Sequence, residues 1–220
     1  MAKTNISELV FIIDKSGSMA GLESDTIGGI NATLADNRKV EGTCFVSLVQ
    51  FNHASEVTHD RVPIERVKPL TERDYHVGGC TALLDAVGGA IKYHDKVQKI
   101  LPETHRANHL IFVIITDGLE NASHDFDYPQ VKRLIEAKKE EGWEFLFLGA
   151  NIDVAAEAAR LGINPNHASA YVADAAGSEI AYEAVSQACV ESRAHGFVSS
   201  NWKAKAEADA AKRSFFRRKH

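Results

Sequence analysis

The stretch Leu9-Val10-Phe11-Ile12-Ile13-Asp14-Lys15-Ser16-Gly17-Ser18-Met19 decides how this chain folds. Five apolar residues, four of them aliphatic, end in a carboxylate, and two hydroxyls follow at spacings of two around one glycine. An unbroken apolar run of this kind reads as a strand covered on both faces, as strands of parallel sheets are. The polar residues after it read as a tight loop at the strand's C-terminal end, where open α/β sheets bind ligands. Asp and Ser side chains there are short, carry oxygen and can converge on one point, which suits a hard divalent cation. Taken alone, the loop equally fits a Ser/Gly turn leading into a helix cap.

The bulk numbers narrow the class. A chain of 220 residues, 45% hydrophobic and 25% charged, suits one α/β domain with a substantial core. The net charge of −5 gives no broad attraction to nucleic acid or to an anionic membrane surface. That charge is unevenly placed. Residues 201–220 carry seven Lys and Arg against Glu207 and Asp209, leaving −10 on the first 200 residues. Cys44, Cys80 and Cys189 are odd in number, widely spaced and in no Cys-x-x-Cys pattern, which speaks against a disulfide scaffold and for a reducing compartment. Residues 1–8 lack the apolar stretch of a secretory signal, and no apolar run approaches the ~18 residues that span a bilayer. These features predict a soluble, cytoplasmic protein.

Outward from the opening strand, the pattern alternates. Ile27, Ile30 and Leu34 share one face of a helix over roughly 23–39, with Ser24 or Asp25 as its cap. Thr43–Asn52 reads as a strong strand, and Ser55 to about Val62, more polar, as the second arm of a hairpin at a sheet edge. Residues 63–80 read as a loop. A helix then begins at Thr81, with Leu83, Leu84, Val87, Ile91, Val97 and Leu101 in one stripe and Gly88-Gly89 admitting a close neighbour. His109–Ile115, the most apolar run, predicts a central strand ending in Thr116-Asp117-Gly118.

The pattern continues with a helix at about 128–141, capped by Asp127 with Pro129 in its first turn. A strand at 144–151, a helix at 153–161 closed by Gly162, a weak strand at 168–172 and a helix at 178–195 follow. The fold class is therefore α/β: a Rossmann-like, doubly wound, mostly parallel six-stranded sheet with one antiparallel edge strand and helices on both faces. Residues 1–198 are expected to form this domain, and 199–220 a basic tail, helical or disordered, with Phe215-Phe216 amid Arg and Lys.

Two further loops fall at the same sheet edge as the opening one. Gly78-Gly79-Cys80-Thr81 turns into a helix N-terminus, where Thr81 is a natural N-cap, and Asp117-Gly118 follows the central strand. Loops after adjacent parallel strands meet at the switch point, so Asp14, Ser16, Ser18, Thr81 and Asp117 fall within reach of one ion. This order of residues resembles the von Willebrand factor type A (VWA) domain and its metal-ion-dependent adhesion site, Asp-x-Ser-x-Ser followed by a Thr and then an Asp. The resemblance runs over roughly residues 7–195. Through Thr81–Ala86 and Thr116–Asn121 it is closest to compact intracellular bacterial or phage members.

The resemblance implies that Ser16 and Ser18 bind a metal directly, Thr81 directly or through water, and Asp14 and Asp117 mostly through waters or by orienting the serines. Mg²⁺ is the first choice, Mn²⁺ is allowed and Ca²⁺ fits less well. An open coordination position would take an Asp or Glu from a partner protein, so the implied function is metal-dependent protein–protein interaction without catalysis.

The alternative is a metal-assisted hydrolase or phosphotransferase, for which Asp14, Asp117 and His124 are the only base or nucleophile candidates. A third reading is an oligomerisation domain whose ion only steadies the loops. Glu120, Asp125 and Asp127 read as loop or cap residues, Asp85 as a helix-dipole residue, and Lys15 as exposed. Met19 reads as either rim or packing residue. There is no phosphate-binding loop or nucleophile elbow, and His76 with Cys80 lacks the second pair that a zinc site needs.

Overall fold

A computed structural model describes residues 5–217, with side chains as far as Arg213. Arg218 and Lys219, and the side chains of Phe215 and Phe216, lie outside the described residues. Six strands form one sheet: β1 (Ile6–Asp14), β2 (Thr43–Phe51), β3 (Ser55–Pro63), β4 (His109–Thr116), β5 (Glu144–Gly149) and β6 (Ala168–Ala170). Their spatial order is β3-β2-β1-β4-β5-β6. All neighbours are parallel except β2 and β3. The architecture is the expected Rossmann-type α/β fold with one antiparallel edge strand.

All nine residues of β1 are buried, because strands flank it on both edges and helices cover both its faces. Its side chains divide by alternation. Leu9, Phe11 and Ile13 pack in one core with α1 (Glu23–Asn37) and α5 (Ala175–His195). Val10 and Ile12 pack in the other with α2 (Leu83–Ile100), α3 (Tyr128–Glu140) and α4 (Val154–Leu161). The edge strand β3 is irregular, with register shifts against β2 and Arg61 at φ +48.

Several helix starts differ from expectation. Helix α1 begins at Glu23 with Leu22 as N-cap and no side-chain cap, so Ser24 and Asp25 sit inside its first turn. Glu23 instead accepts a hydrogen bond from the Gly21 N–H at 2.7 Å. Helix α5 starts a turn before Ser178, because Asp174 caps it by accepting from the Gly177 N–H at 2.9 Å. Asp127 and Gln130 form a reciprocal capping box at α3, and Gly162 ends α4 at φ +81.

A sixth helix, α6 (Ala204–Arg217), lies against α5 and β6. Trp202 is buried just before it and donates its indole N–H to the Asn166 carbonyl at 2.9 Å. Lys205 pairs with Glu183, and Arg213 pairs with Asp174 and Asp209.

Candidate metal centre

The switch point of the sheet lies between β1 and β4, since the chain winds outward from β1 in both directions. Asp14 is the last residue of β1, and Asp117 follows directly on β4. Their loops therefore open side by side. Ser16 and Ser18 stand on the turn after β1 with their hydroxyl oxygens 3.0 Å apart. The turn is fixed by its backbone. The Lys15 N–H donates to the Phe51 carbonyl at 2.6 Å, the Gly17 N–H to the Gly79 carbonyl at 3.0 Å, and the Gly78 N–H to the Lys15 carbonyl at 2.8 Å. Gly79 holds φ +84, a conformation that suits glycine, and this lets the 78–82 loop lie along the Asp14–Ser18 turn.

Asp14 is wholly buried and well held. One carboxylate oxygen accepts the Ser16 N–H and the other the Thr116 hydroxyl, both at 2.6 Å. The Tyr75 hydroxyl donates to its main-chain carbonyl. Burial pushes the Asp14 carboxyl above the usual carboxylate range; the bonds from Thr116 and Ser16 offset part of this, and the charge of Asp117 adds to it. Asp117 is also raised by burial, with the nearby Ser18 hydroxyl pulling it back. Its Oδ1 is buried with no hydrogen-bond partner.

Gly118 shows how closely these groups approach. A Cβ there would lie 2.9 Å from the Ser18 hydroxyl oxygen, 3.2 Å from that of Thr81 and 3.9 Å from Asp14 Oδ2. Only glycine leaves that space open. The structure thus gathers Asp14, Ser16, Ser18, Thr81 and Asp117 at one strand edge. The donor set is all oxygen, three hydroxyls and two carboxylates, which fits a hard divalent cation. No group of three or more His, Cys, Asp and Glu suited to a metal exists among the described residues, so a cation here would depend on hydroxyls.

Thr81 is not the cap of α2. The N-cap is Ala82, without a side-chain bond. The helix amides are taken by another element: Glu120 accepts the Leu84 N–H at 2.9 Å, and Ser123 accepts the Asp85 N–H at 3.0 Å. Asn121 holds Thr81 in place, accepting its N–H at 2.9 Å and donating its own N–H to the Thr81 carbonyl at 3.0 Å. Glu120 also accepts from the Ala122 and Ser123 N–H groups. Asp85 returns the tie through the N–H groups of His124, Asp125 and Phe126, so it fastens the loop after β4 as well as favouring its own helix start.

Glu120 and Asn121 are positioning residues whose roles the sequence does not reveal. The stretch Thr116–Asn121 marks them, but their targets lie far away along the chain. Lys15 is not exposed as expected: it is mostly covered and pairs with Glu56 at 2.6 Å. Met19 is fully buried and is a packing residue. His124 is exposed on the loop.

Comparison with known proteins places this architecture. No protein-family model matches the sequence. No curated protein matches it either. Among solved structures, the fold is similar to that of proximal thread matrix protein 1 from the mussel byssus, described with a zinc-occupied MIDAS motif, at a TM-score of 0.57 and 14% identity over 84% of this chain and 46% of that one. A von Willebrand factor type A protein from Catenulispora acidiphila gives a TM-score of 0.57 and 15% identity over 84% and 42%. The manganese-loaded TRAP protein of Plasmodium vivax gives 0.54 and 14% over 81% and 73%. The chain thus has a VWA-like fold, and it spans less than half the length of the mussel and Catenulispora proteins.

Proposed function

We propose that this chain is a metal-dependent protein-interaction module of the VWA kind, with Asp14, Ser16, Ser18, Thr81 and Asp117 holding one divalent cation. The observation that carries the reading is Asp117 Oδ1, a buried carboxylate oxygen with no partner, beside a space that Gly118 keeps open between Ser18, Thr81 and Asp14. An orphaned buried acceptor calls for a donor or a cation, and the hydroxyls around this one suit a cation. Mg²⁺ suits the all-oxygen set best, Mn²⁺ next and Ca²⁺ less well. The zinc of the mussel protein and the manganese of TRAP support a divalent ion in this fold.

In this role Ser16, Ser18 and Thr81 supply neutral oxygens, Asp14 orients the Ser16 turn, and Asp117 offers its free oxygen. Because the direct donors would be neutral hydroxyls, with the two carboxylates acting mostly through waters, the bound cation would keep local positive charge for an Asp or Glu of a partner protein. Three free cysteines accord with a reducing, cytoplasmic setting. Among the described residues, no helix is long and apolar enough to cross a membrane.

The test is thermal unfolding with Mg²⁺ or Mn²⁺ and then EDTA, on wild type, Asp14→Ala and Ser16→Ala. At about a hundredfold excess over Kd, binding adds about 2.7 kcal/mol. Wild type should gain several degrees, reversed by EDTA, and both variants should gain nothing. Equal response in all three proteins sinks the metal site. Mg²⁺-dependent phosphatase or esterase turnover lost in Asp117→Ala would overturn the non-enzymatic reading.

A further inference from the structure

A cavity of about 510 Å³ opens beside the candidate metal loop, between β3 and the segment 68–76. Lys15 joins the two places. It stands between Asp14 and Ser16 in the chain, and its side chain lines the cavity. The other charged or titratable walls are Glu56, His59, Lys68, Arg73, Asp74 and His76.

Both carboxylates in this wall are engaged. Glu56 pairs with Lys15 at 2.6 Å, and one oxygen of Asp74 accepts the Thr71 N–H and hydroxyl at 2.8 and 2.7 Å. Lys68 and Arg73 are exposed, and their side chains enter no ion pair or hydrogen bond among the described residues. His59 Nδ1 is buried with no hydrogen-bond partner. Burial lowers the His59 pKa, with Asp74 partly offsetting it, so the ring is neutral at pH 7 and carries one N–H to donate. Two unpaired cations and an unpartnered imidazole nitrogen thus line a space in which Asp74, its side chain bonded only to Thr71, is the one carboxylate outside an ion pair, so the wall keeps a net positive charge.

We propose that this cavity is a second oxyanion subsite, in which Lys68, Arg73 and His59 take a carboxylate or phosphoryl group of the partner whose acidic residue reaches the Asp14–Asp117 cluster. The proposal rests on the interaction reading given above. Lys15 and Glu56 form the wall between the two subsites, neutral as a pair. A partner with two acidic groups would thereby be preferred over one with a single group, because the second adds charge-assisted hydrogen bonds.

Two experiments on the full chain test this. In EDTA, inorganic phosphate is titrated while amide and imidazole NMR shifts are followed. Saturable shifts are expected at His59, Arg73 and His76, absent in Lys68→Ala/Arg73→Ala and retained in Ser18→Ala. In Mg²⁺, peptides with one Glu, with two Glu and with Glu plus phosphoserine are compared. The doubly acidic peptides should bind about tenfold tighter than the single one, and the double variant should erase that margin alone. The stronger of the two identifies the source of the oxyanion. Because both substituted side chains are exposed, an unchanged unfolding midpoint certifies the fold of the variant. No saturable phosphate shift together with no gain from a second acidic group overturns the subsite. Phosphate binding in EDTA with no Mg²⁺ effect on any peptide keeps the subsite and removes the metal reading.

Discussion

Asp14 and Asp117 are two buried carboxylates at one strand edge, but they are not equivalent. Asp14 engages both oxygens, with the Ser16 N–H and the Thr116 hydroxyl, whereas Asp117 Oδ1 has no partner. Burial raises both pKa values, so the folded chain holds these protons more tightly than the unfolded chain does. That stability is fully present below the ordinary carboxylate range and is lost as pH rises through the raised folded-state values. In EDTA at pH 7, Asp117→Asn should therefore stabilise the protein by about 1 kcal/mol, which is about 2–4 °C in a chain of this size. Asp14→Asn should cost about 1–3 kcal/mol, since its amide would face a donor. Urea unfolding in EDTA at pH 4 and pH 7 checks both, and an Asp117→Asn variant less stable than wild type at pH 7 would refute the account. At this scale the Asp-x-Ser-x-Ser turn is legible in the sequence because its residues are neighbours there. Thr81 reads as a helix cap because its real constraint, Asn121, comes from another loop.

At the scale of elements, the paired glycines separate propensity from packing. Gly28 and Gly29 are adjacent in α1, and propensity alone predicts that alanine gains up to about 1 kcal/mol at either. The tertiary surroundings differ. A Cβ at Gly28 meets nothing within 4 Å, while one at Gly29 would lie 2.1 Å from the buried Tyr182 ring of α5. Gly28→Ala should stabilise by about 0.5–1 kcal/mol, and Gly29→Ala should destabilise by about 1–3 kcal/mol by overpacking. Denaturant midpoints read the two signs, and equal effects would show that α1 and α5 do not meet this closely. In α2 the close approach expected at Gly88-Gly89 occurs at Gly88, where a Cβ would sit 2.5 Å from Phe126, and not at Gly89. The start of α2 follows the same logic. Its amides are satisfied by Glu120 and Ser123, so no cap residue had to stand in sequence before it.

At the scale of the molecule, the sheet order puts the ends of β1 and β4 side by side, and this juxtaposition builds the candidate site. Described residues of the C-terminal segment pack on α5 and β6. Trp202 and Ala206 are buried, and Lys203 donates to the Pro165 and Ala168 carbonyls at 2.7 and 2.9 Å. Trp202→Ala should cost about 3–5 kcal/mol, and removal of 199–220 should lower the unfolding midpoint at least as far. A shortened chain as stable as the full one would support a domain boundary at residue 198. Composition conceals this packing, because a segment rich in Ala, Lys and Arg reads the same whether it is solvated or docked on one face.

The sequence by itself determined the elements, the mostly parallel sheet and the order of the oxygen-bearing residues. Those follow from local signals: apolar runs, periodicity, turn residues and the right-handed connection rule. It also placed Asp14, Ser16 and Ser18 on one turn. Only the tertiary structure decided which hydrogen bonds each residue makes. It left Asp117 Oδ1 unpartnered, released Thr81 from capping through Glu120, and brought Glu8 of β1 within 2.8 Å of His94 of α2 in the core. Such pairings depend on which strands and helices become neighbours, and the energy of a buried polar group depends on the partner that arrives from elsewhere in the chain.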